Sequence, residues 1–178
     1  LLRQRGWRIT DQAIQQGMAL ARWPGRLQWV EWLDANHQPH PLLLDGAYNP
    51  GAAVELRRYV DRWWAQRGEP AGATQWLMGM LATKDHSDIF RALLRPGDYL
   101  YLVPVAGDQS ADPFALAAIA PTLCPHLRHC QGYKDLATGL GAMTRESGSI
   151  KILCGSLYLI GEFLASHQLT PLPALELW

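Results

Sequence analysis

Apolar and polar positions along the 178-residue chain switch between a helical and a strand period, and the switches predict the order of the elements. Residues 10–22 (TDQAIQQGMALAR) place Ala13, Ile14, Met18 and Ala21 at helical spacing behind a Thr-Asp start, which predicts an N-capped helix that Trp23-Pro24-Gly25 stops. LQWVEWLD (27–34) alternates as a strand does. A polar turn over 36–41 then leads into PLLLD (41–45), a continuous apolar run suited to a strand covered on both faces. Together they read as a hairpin entering a sheet. Asn49-Pro50 offers a cap and a proline at the first helical position, followed by the stripe Leu56, Val60, Trp63 and Trp64, which stops at Gly68. Beyond it strands and helices interleave: strands at 74–80, 98–105, 126–130 and 149–154, helices at 85–94, 113–123, 134–146 and 156–168. About six strands in this order predict an α/β open sheet, parallel apart from the opening hairpin.

Composition narrows the picture. A hydrophobic share of 48% suffices for one domain with a single sizeable core. Lys+Arg and Asp+Glu are equal at 16 each, so the chain offers no basic field to a nucleic acid. Its start differs: Arg3, Arg5, Arg8, Arg22 and Arg26 stand against Asp11 alone, which marks a separate element. No apolar run reaches the roughly 18 residues of a membrane span, and no signal-peptide order is present, so a cytoplasmic setting is expected. Cys124, Cys130 and Cys154 are odd in number and lack CxxC spacing, which speaks against a disulfide framework. A start at Leu1, without an initiator Met, reads as a fragment.

In open α/β sheets ligands gather beyond the carboxyl ends of the strands. Three loops there combine Gly with a group able to hold a charged ligand beside a helix N-terminus: Asp45-Gly46-Ala47-Tyr48-Asn49-Pro50, Gly79 to Asp85, and Cys154-Gly155-Ser156. Each residue has two readings. Asp45 is a hydroxyl acceptor or a turn-former before Gly. Lys84 is a carboxylate partner or a solvated loop lysine. Asn49 and Ser156 are ligand contacts or helix caps. Arg26 is a bidentate phosphate ligand or an exposed structural arginine.

Other motifs carry less. Cys124, His126, His129 and Cys130 share one short strand, whose alternating faces spoil tetrahedral convergence on a metal. Gly139-Leu140-Gly141 lies within a helical pattern, which is the wrong context for a dinucleotide fingerprint, and no Walker-type phosphate loop occurs. Trp63-Trp64 reads as core, since one of the two extends the apolar stripe.

Taken in order, Arg22-Trp23-Pro24-Gly25-Arg26-Leu27, Leu44-Asp45-Gly46-Ala47-Tyr48-Asn49-Pro50-Gly51-Ala52, Gly79-Met80-Leu81 with Lys84-Asp85, and Cys154-Gly155-Ser156-Leu157-Tyr158 resemble the C-terminal domain of folylpolyglutamate synthase/dihydrofolate synthase in the Mur ligase superfamily. The resemblance spans nearly the whole chain. It implies a Rossmann-like domain over residues 23–178 with helices on both faces. Residues 1–22 would be the end of a preceding central ATPase domain and the hinge.

The activity implied is an ATP- and Mg2+-dependent ligation. A folate or dihydropteroate carboxylate attacks the γ-phosphate to form an acyl phosphate, and the amine of L-glutamate then displaces phosphate. Arg26 and Asp45 would contact ATP, and Tyr48, Asn49, Lys84 and Ser156 would help place glutamate, with no metal ligand or catalytic residue in this part. The phosphate loop and the magnesium ligands belong to the upstream domain, so this part alone is expected to be inactive. A monomer is expected. At position 48 the family usually has His, and Tyr48 exchanges a proton acceptor for a phenol. A domain of another Mur-type amino-acid ligase, or a binding module without catalysis, is the alternative.

Overall fold

The computed structural model describes residues 1–21, 23–67, 72–147 and 149–172, and among them the chain builds one seven-stranded sheet. In chain order the elements are α1 (Asp11–Leu20), β1 (Gln28–Leu33), β2 (Pro39–Asp45), α2 (Pro50–Ala65), β3 (Thr74–Met78), α3 (His86–Leu93), β4 (Tyr99–Leu102), α4 (Pro113–Leu123), β5 (His129–Gly132), α5 (Leu136–Met143), β6 (Ile150–Cys154), α6 (Leu157–Ser166) and β7 (Leu169–Pro171). The strand order is β5-β4-β3-β6-β2-β1-β7. From β5 to β2 all neighbours are parallel, while β1 pairs antiparallel with both β2 and β7.

The central strands are apolar throughout because both of their faces are covered. Leu43, Trp76, Met78, Leu100 and Ile152 meet α2, α3 and α4 on one face. Leu42, Leu44, Leu77, Tyr101 and Leu153 meet α5 and α6 on the other. Caps set where the helices begin. The Asn49 side chain accepts the Ala52 N–H at 2.9 Å ahead of Pro50, and Asp85, Asp112, Asp135 and Ser156 do the same for α3 to α6.

At the amino ends of the strands a buried ion pair joins three elements. Asp98, 2% exposed, accepts from Arg57 Nη1 at 3.2 Å and from Trp76 Nε1 and the Thr74 and Arg95 N–H groups at 3.0 Å. Arg57 also donates to the Leu93 carbonyl and to Asp61.

Several boundaries differ from the sequence reading. The sheet has a seventh strand, β7, which three residues are too few to announce by alternation; the helix expected to run to residue 168 ends at Ser166 instead. The strand expected over 126–130 starts at His129, because His126 takes a left-handed turn (φ 65°) after Pro125. β4 stops at Leu102, so Val103 and Val105 are buried in a loop and not in a strand. Trp64 is core, whereas Trp63 is half-buried, stacked on Trp29 with the Arg67 guanidinium 3.6 Å from its ring centre. The predicted helix stop at Gly68 and Arg22 lie outside the described residues.

Candidate functional site

The three Gly-containing loops leave adjacent strands at one level. Asp45 of β2 and Met78 of β3 both pair in register with Cys154 of β6, so Gly46, Gly79 and Gly155 follow at the same height at the carboxyl ends. The strand order reverses here, since β6 inserts between β2 and β3, and such a switch point opens a crevice.

Two glycines allow the loops to close on one another. Gly155 has φ +100°, and a Cβ there would lie 2.6 Å from the Gly79 carbonyl oxygen. A Cβ on Gly46 would run into the Leu157 side chain. The Gly25–Leu27 stretch is sewn to the first loop: the Gly46 N–H donates to the Gly25 carbonyl at 2.8 Å, and the Leu27 N–H donates to Asp45 Oδ2 at 2.9 Å.

Asp45 is therefore partly committed to the fold. Its side chain is largely buried, and burial raises its carboxyl above the ordinary carboxylate value, against the Leu27 N–H, the Arg26 charge and the Ala47 N–H, which favour the charged form. Because the folded value lies above the unfolded one, the charged carboxylate weighs against the fold at neutral pH, and that penalty eases as pH falls.

Tyr48 is the meeting point of the site. Its ring, 37% exposed, has the Arg26 guanidinium 5.8 Å from its centre and the Lys84 ammonium at 5.1 Å. Residues 22 positions before it and 36 after it in the sequence thus face one side chain. Among the described residues neither cation is paired with a carboxylate. Two cations without an ion-pair partner at the switch point are suited to an anion.

Asn49 and Ser156 hold the caps of α2 and α6. Each spends a side-chain oxygen on its own helix, Ser156 accepting the Tyr158 N–H at 3.2 Å while only 3% exposed. Their caps bring two helix N-termini, with their partial positive charge, to the same end of the sheet. The Cys154 thiol at this level is fully enclosed, and burial pushes it well above its ordinary value, so it is packing and not a nucleophile.

Sequence reasoning missed a fourth loop. The turn between β4 and α4 holds the Lys84 loop by backbone bonds: Ala82 N–H to the Gln109 carbonyl and Ala111 N–H to the Met80 carbonyl, both 2.8 Å. Ser110 Oγ steadies that turn by accepting the Val105 N–H at 2.9 Å. The turn cluster Pro104, Gly107 and Asp108 was the available signal, although it gives no sign of what the turn packs against.

The described residues hold a cavity of about 250 Å³ at the opposite end, walled by Trp29, Pro41, Trp63, Ile150 and Leu172. Arg67, Ser149 and Lys151 complete its mainly apolar lining, and it contains none of the convergent groups above.

Residues 28–166 match the family described as dihydrofolate synthetase, C-terminal domain. A probable dihydrofolate synthetase of Schizosaccharomyces pombe is 29% identical over 158 residues, covering 84% of this chain and 35% of that protein. A bifunctional folylpolyglutamate synthase/dihydrofolate synthase of Yersinia pestis, solved with AMPPNP and a Mn ion, superposes at a TM-score of 0.65 with 24% identity, over 93% of this chain and 36% of its own. Another bifunctional enzyme of this kind, solved with Mn, AMPPNP and L-glutamate, gives a TM-score of 0.62 at 25% identity, over 93% and 36% of the two chains. The chain thus spans about a third of the length of these relatives. With the family match over most of its length and the same α/β sheet, the chain belongs to the dihydrofolate synthetase C-terminal domain family.

Proposed function

We propose that this chain is the glutamate-binding part of an ATP-dependent ligase that joins L-glutamate to a folate or to dihydropteroate. The observation that carries the reading is the pair of unpaired cations, Arg26 and Lys84, on one ring at the switch point. The relative solved with AMPPNP, Mn and L-glutamate supports the ligand classes.

The reaction makes and breaks bonds in two steps. The acceptor's carboxylate oxygen attacks the γ-phosphorus and ADP leaves, giving an acyl phosphate. The glutamate nitrogen then attacks the acyl carbon and inorganic phosphate leaves, with the amine proton passing to solvent or phosphate. Glutamate brings two carboxylates and an amine that must be neutral to attack. Lys84 takes one carboxylate, and the N-termini of α2 and α6, capped by Asn49 and Ser156, favour the negative charge at the same end. Tyr48 borders that place. Arg26 neutralises nucleotide phosphate, and Asp45, steadied by the Leu27 N–H, accepts from a nucleotide hydroxyl.

Mg2+ would offset phosphate charge. Its ligands are proposed to belong to the upstream central domain. That domain is also the partner proposed for residues 1–22, whose α1 leaves Ile14, Met18 and Leu20 exposed, with Trp7 and Trp23 beside it. Residues 23–178 form the glutamate-binding domain in this division. No described helix is long and apolar enough to cross a membrane, and a cytoplasmic, monomeric enzyme is the setting we propose.

The test is ATP-dependent incorporation of labelled L-glutamate by the polypeptide that carries this chain together with its phosphate-loop domain, offered dihydropteroate and tetrahydrofolate in separate reactions. Incorporation that the 178-residue chain alone does not support is the expected result, and the acceptor used names the activity. No incorporation with either acceptor overturns the folate assignment and moves the weight to another amino-acid ligase.

A further inference from the structure

The proposed function leaves open why the two cations stand where they do. Lysine and arginine side chains are long and keep many rotamers unless something holds them. Among the described residues neither Arg26 nor Lys84 makes a side-chain hydrogen bond or an ion pair. The one feature common to both is the Tyr48 ring, at 5.8 Å and 5.1 Å from the two charges. The distances lie within the range at which a cation is drawn to an aromatic face.

The hydroxyl of Tyr48 makes no hydrogen bond among the described residues, so the ring and not the phenol oxygen carries the contact. The loop beneath the ring is fixed: Asp45 binds the Leu27 N–H, Gly46 binds the Gly25 carbonyl, and Asn49 caps α2. A ring on a fixed loop can pre-arrange side chains on mobile stems before a ligand arrives, which lessens the ordering that binding must supply.

We propose that Tyr48 is a positioning residue whose ring holds the Arg26 and Lys84 charges at set places, so that the nucleotide-side and glutamate-side cations are arranged by one side chain. This rests on the proposed function for what the cations bind, but the contact itself does not.

The experiment has two arms. The first is NMR of the 178-residue chain in the absence of ligand, following the ring-current shifts of the Lys84 Cε and Arg26 Cδ protons. Both sets should lie upfield of unperturbed lysine and arginine values, keep that displacement in Tyr48→Phe and lose it in Tyr48→Leu. Random-coil shifts for both residues in the unsubstituted chain would overturn the proposal whatever the enzyme's substrates are.

The second arm is steady-state kinetics of the complete polypeptide. Tyr48→Phe, which keeps the ring, should raise both KM values less than Tyr48→Leu does. Tyr48→Leu should raise KM for glutamate and for ATP each by roughly three- to five-fold, the size expected from one exposed cation–aromatic contact, with kcat changed less. If Tyr48→Phe is as impaired as Tyr48→Leu, the hydroxyl and not the ring is the working part, and the proposal fails. Unchanged KM values in Tyr48→Leu would sink it equally. If the polypeptide shows no ligase activity while the ring-current shifts behave as described, the functional reading falls and the positioning role stands.

Discussion

At the amino ends of the strands Arg57 is enclosed by acceptors, with Asp98, Asp61 and the Leu93 carbonyl all receiving its N–H groups. At the carboxyl ends Arg26 and Lys84 make no ion pair or side-chain hydrogen bond among the described residues and share the Tyr48 ring, although the Arg26 charge is felt at Asp45. Both ends lie on the same strands, so the contrast is one of use. A buried guanidinium must be satisfied within the fold, because a charge removed from water without a partner is costly. An exposed cation at a crevice can be left for a ligand, since water solvates it meanwhile. The first arrangement serves the fold, and the second is the one we propose serves binding.

The largest expected effect comes from breaking the enclosed pair. Asp98→Ala leaves Arg57 buried beside lost acceptors for Trp76 Nε1 and two backbone N–H groups, and should cost about 3–5 kcal/mol in urea unfolding. A loss under about 1 kcal/mol would mean the network is not what holds that end. Next is Gly155→Ala, which demands a left-handed residue and forces the Gly79 carbonyl away; about 1–3 kcal/mol is expected in the same melts. By contrast, Arg26→Gln and Lys84→Gln should each alter stability by no more than about 0.5 kcal/mol, because neither side chain pairs with an acid among the described residues. A larger loss would place them with Arg57 as parts of the fold.

The smallest effect is a pH dependence. His129 packs on Tyr101 and bonds Tyr133 Oη at 2.9 Å, and burial holds its pKa below the ordinary 6.5. The unfolded chain then binds more protons as pH falls through 6.5, so stability declines from there towards the lower folded value. Urea midpoints of His129→Gln should show a shallower acid-side slope than those of the unsubstituted chain.

The chain order of strands and helices was legible because each central strand is a continuous apolar run and most helices open on a side-chain cap; Asn49-Pro50 and Asp112-Pro113 announce theirs directly. The three site loops were legible as Gly-rich ends of strands. What escaped the sequence is what three dimensions assemble. β7 is too short for a period. The 103–112 turn grips the Lys84 loop through backbone atoms, which any residue could supply. Asp98 falls at the first position of the expected strand 98–105 with nothing to mark it, and its partners come from α2 and β3. Tyr48 stood out only as a departure from the resembled motif, while its two cations lie far from it along the chain.

The central proposal is that Arg26 and Lys84, which form no ion pair among the described residues, serve ligands. Its most direct measurement is the KM for ATP and for glutamate of Arg26→Gln and Lys84→Gln in the complete polypeptide. Loss of a charge-assisted contact, worth about 1.5 kcal/mol, should raise KM roughly ten-fold for ATP in the first variant and for glutamate in the second, with thermal stability unchanged. Unchanged KM values for both substrates in both variants would contradict the account.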